Sequence, residues 1–177
     1  RAIDGVKDVY SPQVRQTDVF GRTEHNQKSS PPKLNHISAA DLQNMELPPV
    51  QFIINGLLPV GLGLLVSPPK YGKSWMVLDM GLSVASGNSF LGHETNRGGC
   101  LYLALEDSLN RLKERMGKVL GGEAAPASFD YAVEALDLSH GLLEQLAGYL
   151  IEKPETKLII IDTLQKVRGG AGKENAY

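Results

Sequence analysis

The stretch Leu62-Gly-Leu-Leu-Val66 runs into Ser67-Pro68-Pro69-Lys70-Tyr71-Gly72-Lys73-Ser74, and a mostly apolar run follows from Trp75. No other feature limits this chain so tightly. In a strand, glycine-ended loop and helix of this kind, successive backbone N–H groups turn inward and form an anion nest. The helix that starts at the loop adds its positive dipole end. Lys73 would reach the β- and γ-phosphates of a nucleotide, and the Ser74 hydroxyl would ligate Mg²⁺. Ser67 stands where the usual pattern has its first Gly, and Pro68 and Pro69 carry no N–H to donate. The donors therefore fall to Lys70, Tyr71, Gly72, Lys73 and Ser74. Tyr71 and Trp75 flank the loop. Ser67, Pro68, Pro69 and Trp75 are counted with these donors as candidate nucleotide-binding residues; Tyr71 could pack near the nucleotide, and Trp75, though beside the loop, also reads as core. A bare Gly-Lys-Ser in a surface turn would have the same spelling. The strand before it and the helix after it favour phosphate.

The chain has 177 residues, 42% of them apolar, which suits one core of ordinary size. Its net charge of −2 gives no global field that would recruit nucleic acid. Any DNA contact would have to come from a local basic loop or an assembled ring. The single Cys100 excludes a disulfide framework within the chain and fits a reducing, cytoplasmic setting. No apolar run is long enough to span a bilayer, because Pro59, Gly61 and Gly63 break the most apolar stretch, so no membrane partner is expected. No signal peptide opens the chain. It begins at Arg1, which reads as a fragment or a trimmed chain.

Residues 1–45 are polar and rich in turn formers, with a linker signal at Ser29-Ser30-Pro31-Pro32. They read as a tether or the tail of a preceding domain, with Val9-Tyr10 and Val19-Phe20 as short docked pieces. A small ordered domain is the alternative. Ser38 can cap one helical turn, with Asp41 at its third position. Residues 46–177 read as one nucleotide-binding domain, which the resemblance drawn below implies is a partial ATP-binding domain. Gln51–Ile54 predicts a short strand, Asn55-Gly56 a turn, and Gly63–Val66 the strand that feeds the loop. Lys73–Ser86 predicts a helix apolar around most of its circumference. Cys100–Leu105 has no polar alternation and predicts a strand covered on both faces. Asp107–Leu120 predicts an amphipathic helix with Asp107 or Ser108 as its cap, closed by Gly121-Gly122. Phe129–Val133 reads as a strand, Gly141–Glu152 as a helix and Lys157–Asp162 as a third buried strand. Strands alternating with helices mean an α/β fold, a mostly parallel sheet flanked by helices.

In such sheets the ligand sits beyond the carboxyl ends of the strands. Three strands here end in polar chemistry: the loop, Glu106-Asp107 and Asp162-Thr163. Asp162 follows four apolar residues and could accept from a Mg²⁺-bound water or from Ser74. Hydrolysis of a nucleoside triphosphate needs a group that orients or deprotonates water near the γ-phosphate. Glu106 is the candidate for that role and Asp107 for the helix cap. The reverse assignment stays open.

These three segments together, Leu64 to Trp75, Leu101 to Ser108 and Leu158 to Leu164, resemble the RecA-like ATPases of the hexameric replicative helicase group. The likeness is nearest to plasmid RepA-type helicases and the related AAA family ATPases of phages and mobile elements. It covers about Pro48 to Tyr177. It implies a RecA-like P-loop core, truncated here after the second nucleotide-binding motif, that binds ATP and Mg²⁺. It also implies Glu106 as catalytic base, with Lys73 and Ser74 on phosphate and metal and Asp162 associated with Mg²⁺. A homo-oligomeric ring, often a hexamer, and single-stranded DNA as partner of the full-length protein are further implications. Family members continue with a DNA-contacting loop and an arginine finger that lie beyond this sequence. Two other readings stay open. One is a regulatory or recombination-type ATPase, and the other a nucleotide-binding module without efficient turnover.

Several features carry less. Gly169-Gly-Ala-Gly172-Lys173-Glu174 imitates a phosphate loop, but Glu174 would oppose a phosphate, and a flexible loop is expected. Lys166 and Arg168 read as a solvated loop that could face DNA. Arg111 and Arg115 read as the polar face of a helix. His25, His36, His93 and His140 have no zinc spacing.

Overall fold

The computed structural model describes residues 34–169. Val9-Tyr10, Val19-Phe20, the Ser29–Pro32 linker signal, His25 and the Gly170–Glu174 part of the glycine-rich run lie outside the described residues. The chain divides between Glu46 and Leu47 into two units. The described element of the first is α1, Ala39–Gln43. Ser38 caps it, its hydroxyl accepting from the Asp41 N–H at 3.1 Å, which is the expected cap.

The second unit runs β1 (Phe52–Ile54), β2 (Leu58–Pro59), α2 (Lys73–Ser86), β3 (Gly99–Ala104), α3 (Leu109–Leu120), β4 (Phe129–Ala132), α4 (Leu142–Glu152), β5 (Thr156–Asp162) and α5 (Leu164–Val167). The strands β4, β3 and β5 form a parallel sheet in that order, with β3 in the centre. Tyr102 of β3 lies opposite Tyr131 of β4 and Ile160 of β5. β1 and β2 form a separate antiparallel hairpin around the Asn55-Gly56 turn.

All six residues of β3 are buried, because helices cover both of its faces. Cys100, Tyr102 and Ala104 meet Leu78 and Leu82 of α2 and Leu112 of α3. Leu101 and Leu103 point the other way, to Leu142 and Leu146 of α4 and Val167 of α5. Period-two alternation in the centre of a covered sheet thus serves two cores. Helix α2 lies so close to the sheet that a Cβ on Gly81 would come within 2.7 Å of Phe129 and 2.9 Å of the Cys100 sulfur.

One expected strand is not formed. Residues 62–68 have no ladder partner, and Leu62, Leu64 and Val66 are 96%, 72% and 85% exposed. The local chemistry opposes extension of a strand here. Gly61 sits at φ +138°, and Pro68 and Pro69 supply no ladder N–H. The Ser67 and Pro68 carbonyls are already taken by the Lys73 ammonium. Among the described residues β5 is therefore an edge of the sheet, and two of the three expected strand ends lie side by side.

Candidate active site

Helix α2 opens at Lys73 behind Gly72, whose left-handed φ of +80° turns the loop into the helix. Lys70 is also left-handed, at φ +69°. The α2 N-terminus has no side-chain cap and no acid in its first turn. Its orphan N–H groups and positive dipole end are therefore left for an anion. Lys73 Nζ folds back on the loop. It donates to the Ser67 carbonyl at 2.8 Å, the Ser67 hydroxyl at 3.1 Å and the Pro68 carbonyl at 2.9 Å. Pro69 and Tyr71 are exposed, Tyr71 at 77%.

The parallel pairing of β3 and β5 sets Ala104 opposite Asp162, and the Leu105 N–H donates to the Asp162 carbonyl at 2.9 Å. Glu106 and Asp107 follow directly, so three carboxylates leave the same end of the sheet. They line a cavity of about 130 Å³ together with Ser74, Arg111 and Arg115. The sequence candidates Ser74, Glu106 and Asp162 are thus brought together. Ser67, Pro68, Pro69, Lys70, Tyr71, Gly72, Lys73 and Trp75 do not line this cavity.

The three acids have different neighbours. Asp107 is not the helix cap. That position belongs to Ser108, whose hydroxyl accepts from the Arg111 N–H at 3.4 Å. Asp107 instead pairs with Arg111 at 3.2 Å and with Arg115, and its side chain is only 9% exposed. Two guanidinium forks outcompete a backbone N–H for one carboxylate. Asp162 accepts from the Tyr102 hydroxyl at 2.8 Å. Burial, with the Asp162 charge beside it, pushes the Tyr102 phenol above its ordinary range, so it remains a donor. Glu106 is exposed and makes no ion pair among the described residues.

Arg111 and Arg115 were expected on a polar helix face and line the cavity instead. Their signal was present: residues 107, 111 and 115 recur every four positions, one face of a helix. Trp75, expected in the core, is 39% exposed and lies under the Arg115 guanidinium, 5.5 Å from the ring centroid. Tyr102 gave no sequence signal, since its partner lies 60 residues away. Lys166 and Arg168 are exposed beyond β5.

Among the described residues no group of three or more His, Cys, Asp or Glu forms a ready metal cage. Mg²⁺ does not require one. It takes one or two carboxylates and completes its shell with phosphates and water. The hydroxyl of Ser74 and the carboxylates of Asp162 and Glu106 are hard oxygen donors of the right kind. The uncapped α2 terminus, next to Ser74, fits the phosphates that such an ion accompanies. No helix among the described residues is long and apolar enough to cross a membrane.

A family model described as an AAA domain matches residues 28–177. Comparison with curated proteins and with solved structures gave no match.

Proposed function

The chain belongs to the AAA-domain family of P-loop ATPases, and we propose that it binds MgATP at the N-terminus of α2 and hydrolyses it at the adjoining cavity. Lys73 and the amides of residues 70–74 would hold the phosphates, Ser74 and Asp162 the metal, and Glu106 the attacking water. Bound Mg²⁺ would neutralise charge on the phosphate oxygens. The observation that carries this reading is the sharing of one cavity by Ser74, Glu106 and Asp162 while two arginines neutralise Asp107. Glu106 remains the carboxylate with neither a cation nor a phenol on it. Positioned charge and oriented water supply most of the rate in sites of this class. Before phosphate can take the ammonium of Lys73, the Ser67 and Pro68 carbonyls must release it.

We further propose that turnover drives a helicase-type motor on single-stranded DNA, acting as a homo-oligomer in plasmid, phage or mobile-element replication. The order and spacing of the three segments support this, and the exposed Lys166 and Arg168 offer charge beyond the same strand end. The test is ATP turnover by the full-length protein, with and without single-stranded DNA, using Lys73→Ala as the blank. Turnover above the blank that rises with DNA and falls with salt supports the motor. Turnover indifferent to DNA supports a regulatory ATPase. Turnover equal to the blank overturns hydrolysis at this site.

A further inference from the structure

Tyr102 sits at the middle of β3, 1% exposed, with its ring packed against Tyr131 at 5.8 Å between centroids. Phenylalanine would fill this volume equally well, so packing does not explain the hydroxyl. The neighbouring Tyr131 hydroxyl is buried with no partner among the described residues, so this core does not satisfy every phenol it encloses from within them. The Tyr102 hydroxyl does have a partner, the Asp162 Oδ2 at 2.8 Å. The register explains the reach. Ala104 lies opposite Asp162 and Tyr102 lies two residues before it on the same face of β3, so the phenol approaches the carboxylate diagonally from inside the core.

A neutral donor beside a carboxylate acts differently from a cation. It fixes the rotation of the group without cancelling its charge. Asp162 has four lone-pair sites, and the phenol occupies one of them. Among the described residues no other hydrogen bond or ion pair engages that carboxylate, and Asp162 lines the cavity together with Ser74. Groups that hold a metal ligand from behind fix its orientation, and their loss commonly costs about 10–100-fold in metal affinity or activity.

Taking Asp162 as a metal-associated carboxylate, as proposed above, we infer that Tyr102 is a positioning residue that aims Asp162 and so sets how tightly Mg²⁺ is held with nucleotide. The test uses ADP as probe, with binding followed by the emission of Trp75, the single tryptophan of the chain, and by calorimetry. Each protein is titrated with Mg²⁺ at fixed ADP and, separately, with ADP in the absence of Mg²⁺. Tyr102→Phe is expected to raise the Mg²⁺ concentration at half-effect by about tenfold or more. Its Mg²⁺-free ADP affinity should stay at the wild-type value. A residue that only packs would change urea resistance and leave the Mg²⁺ dependence alone. Asp162→Asn is the reference. If it abolishes the Mg²⁺ effect while Tyr102→Phe behaves as wild type, or binds Mg²⁺ more tightly, the positioning role is overturned and the metal site stands. If Asp162→Asn also leaves the Mg²⁺ effect intact, both fail.

Discussion

Glu106 and Asp107 are neighbours in sequence, and the structure separates what their loss should do. Asp107 is 9% exposed and holds Arg115, itself 18% exposed, and Arg111, which is 60% exposed. Asp107→Asn keeps the shape and removes the charge that pairs with Arg115, which also lies over the Trp75 ring. Breaking a fully buried pair costs about 3–5 kcal/mol, and a surface pair is worth about 0–1. This site lies between those limits, and the Arg111 arm is discounted because water screens it. The expected cost is about 1–3 kcal/mol of stability. Turnover should stay within about tenfold of wild type, equivalent to under ~1.4 kcal/mol on the barrier. Glu106→Gln changes an exposed side chain with no ion pair among the described residues, so stability should move by no more than about 0.5 kcal/mol. Its turnover should fall by about 10²–10⁴-fold, the usual worth of a positioned base, with nucleotide binding retained. Urea unfolding and steady-state ATP turnover measure the two effects separately. The assignment is refuted if Glu106→Gln turns over like wild type while Asp107→Asn is inactive at an unchanged urea midpoint.

Gly81→Ala should lower the urea midpoint. Its Cβ would sit 2.7 Å from Phe129 and 2.9 Å from the Cys100 sulfur, an overpacking of about 1–3 kcal/mol against a helix-propensity gain of at most about 1. An unchanged or higher midpoint would mean that the sheet yields easily. Burial, with the Asp130 charge added, pushes the Cys100 thiol from 9.0 up to about 12. The unfolded chain releases that proton near pH 9 and the folded chain keeps it, so stability should fall by about 1.4 kcal/mol per pH unit above that point. Cys100→Ala should remove this slope up to the pH at which Tyr102, Tyr131 and Tyr149, also raised by burial, add their own. A slope unchanged in the variant refutes the attribution. Finally, Trp75 adjoins Ser74 and stacks with Arg115, so MgATP should change its emission in the wild type and leave it unchanged in Lys73→Ala. A full response in the variant would place the nucleotide elsewhere.

Local signals were legible wherever the chain carried its own punctuation. Helix α2 spans Lys73–Ser86 as read from sequence because Gly72 and Gly87, both left-handed, close its two ends. The unbroken run through β3 announced burial on both faces, and both faces are buried. Gly63–Val66 was misread for an instructive reason. Its apolarity states a preference for burial and names no partner. Glycines before it, prolines after it and the Lys73 bonds to Ser67 and Pro68 decide the local backbone. At the site, Arg111 and Arg115 have visible helical spacing, but only the β3–β5 register shows that their shared face meets Asp162 and Ser74. The Tyr102–Asp162 bond lies wholly in tertiary structure, and no pattern within either strand encodes it.

Three acids that look alike in sequence become chemically distinct through what donates to them. Asp107 receives two guanidiniums, which offset its charge and occupy its oxygens, leaving it poorly suited to hold a metal. Asp162 receives a neutral phenol, which restricts its motion and leaves its charge intact, the combination a metal-associated carboxylate needs. Glu106, exposed and without an ion pair among the described residues, keeps its freedom to turn toward water. The same sorting limits repulsion. Three free carboxylates at one end of the sheet would oppose an incoming triphosphate. Two arginines offset much of that charge before any cation arrives, and the uncapped α2 terminus supplies the attraction. Glu106→Gln, Asp107→Asn and Tyr102→Phe should therefore fail in three different ways: in turnover, in stability and in Mg²⁺ dependence. If all three variants lost the same property, the separation of roles by donor type would be wrong, even with every distance in the site correct.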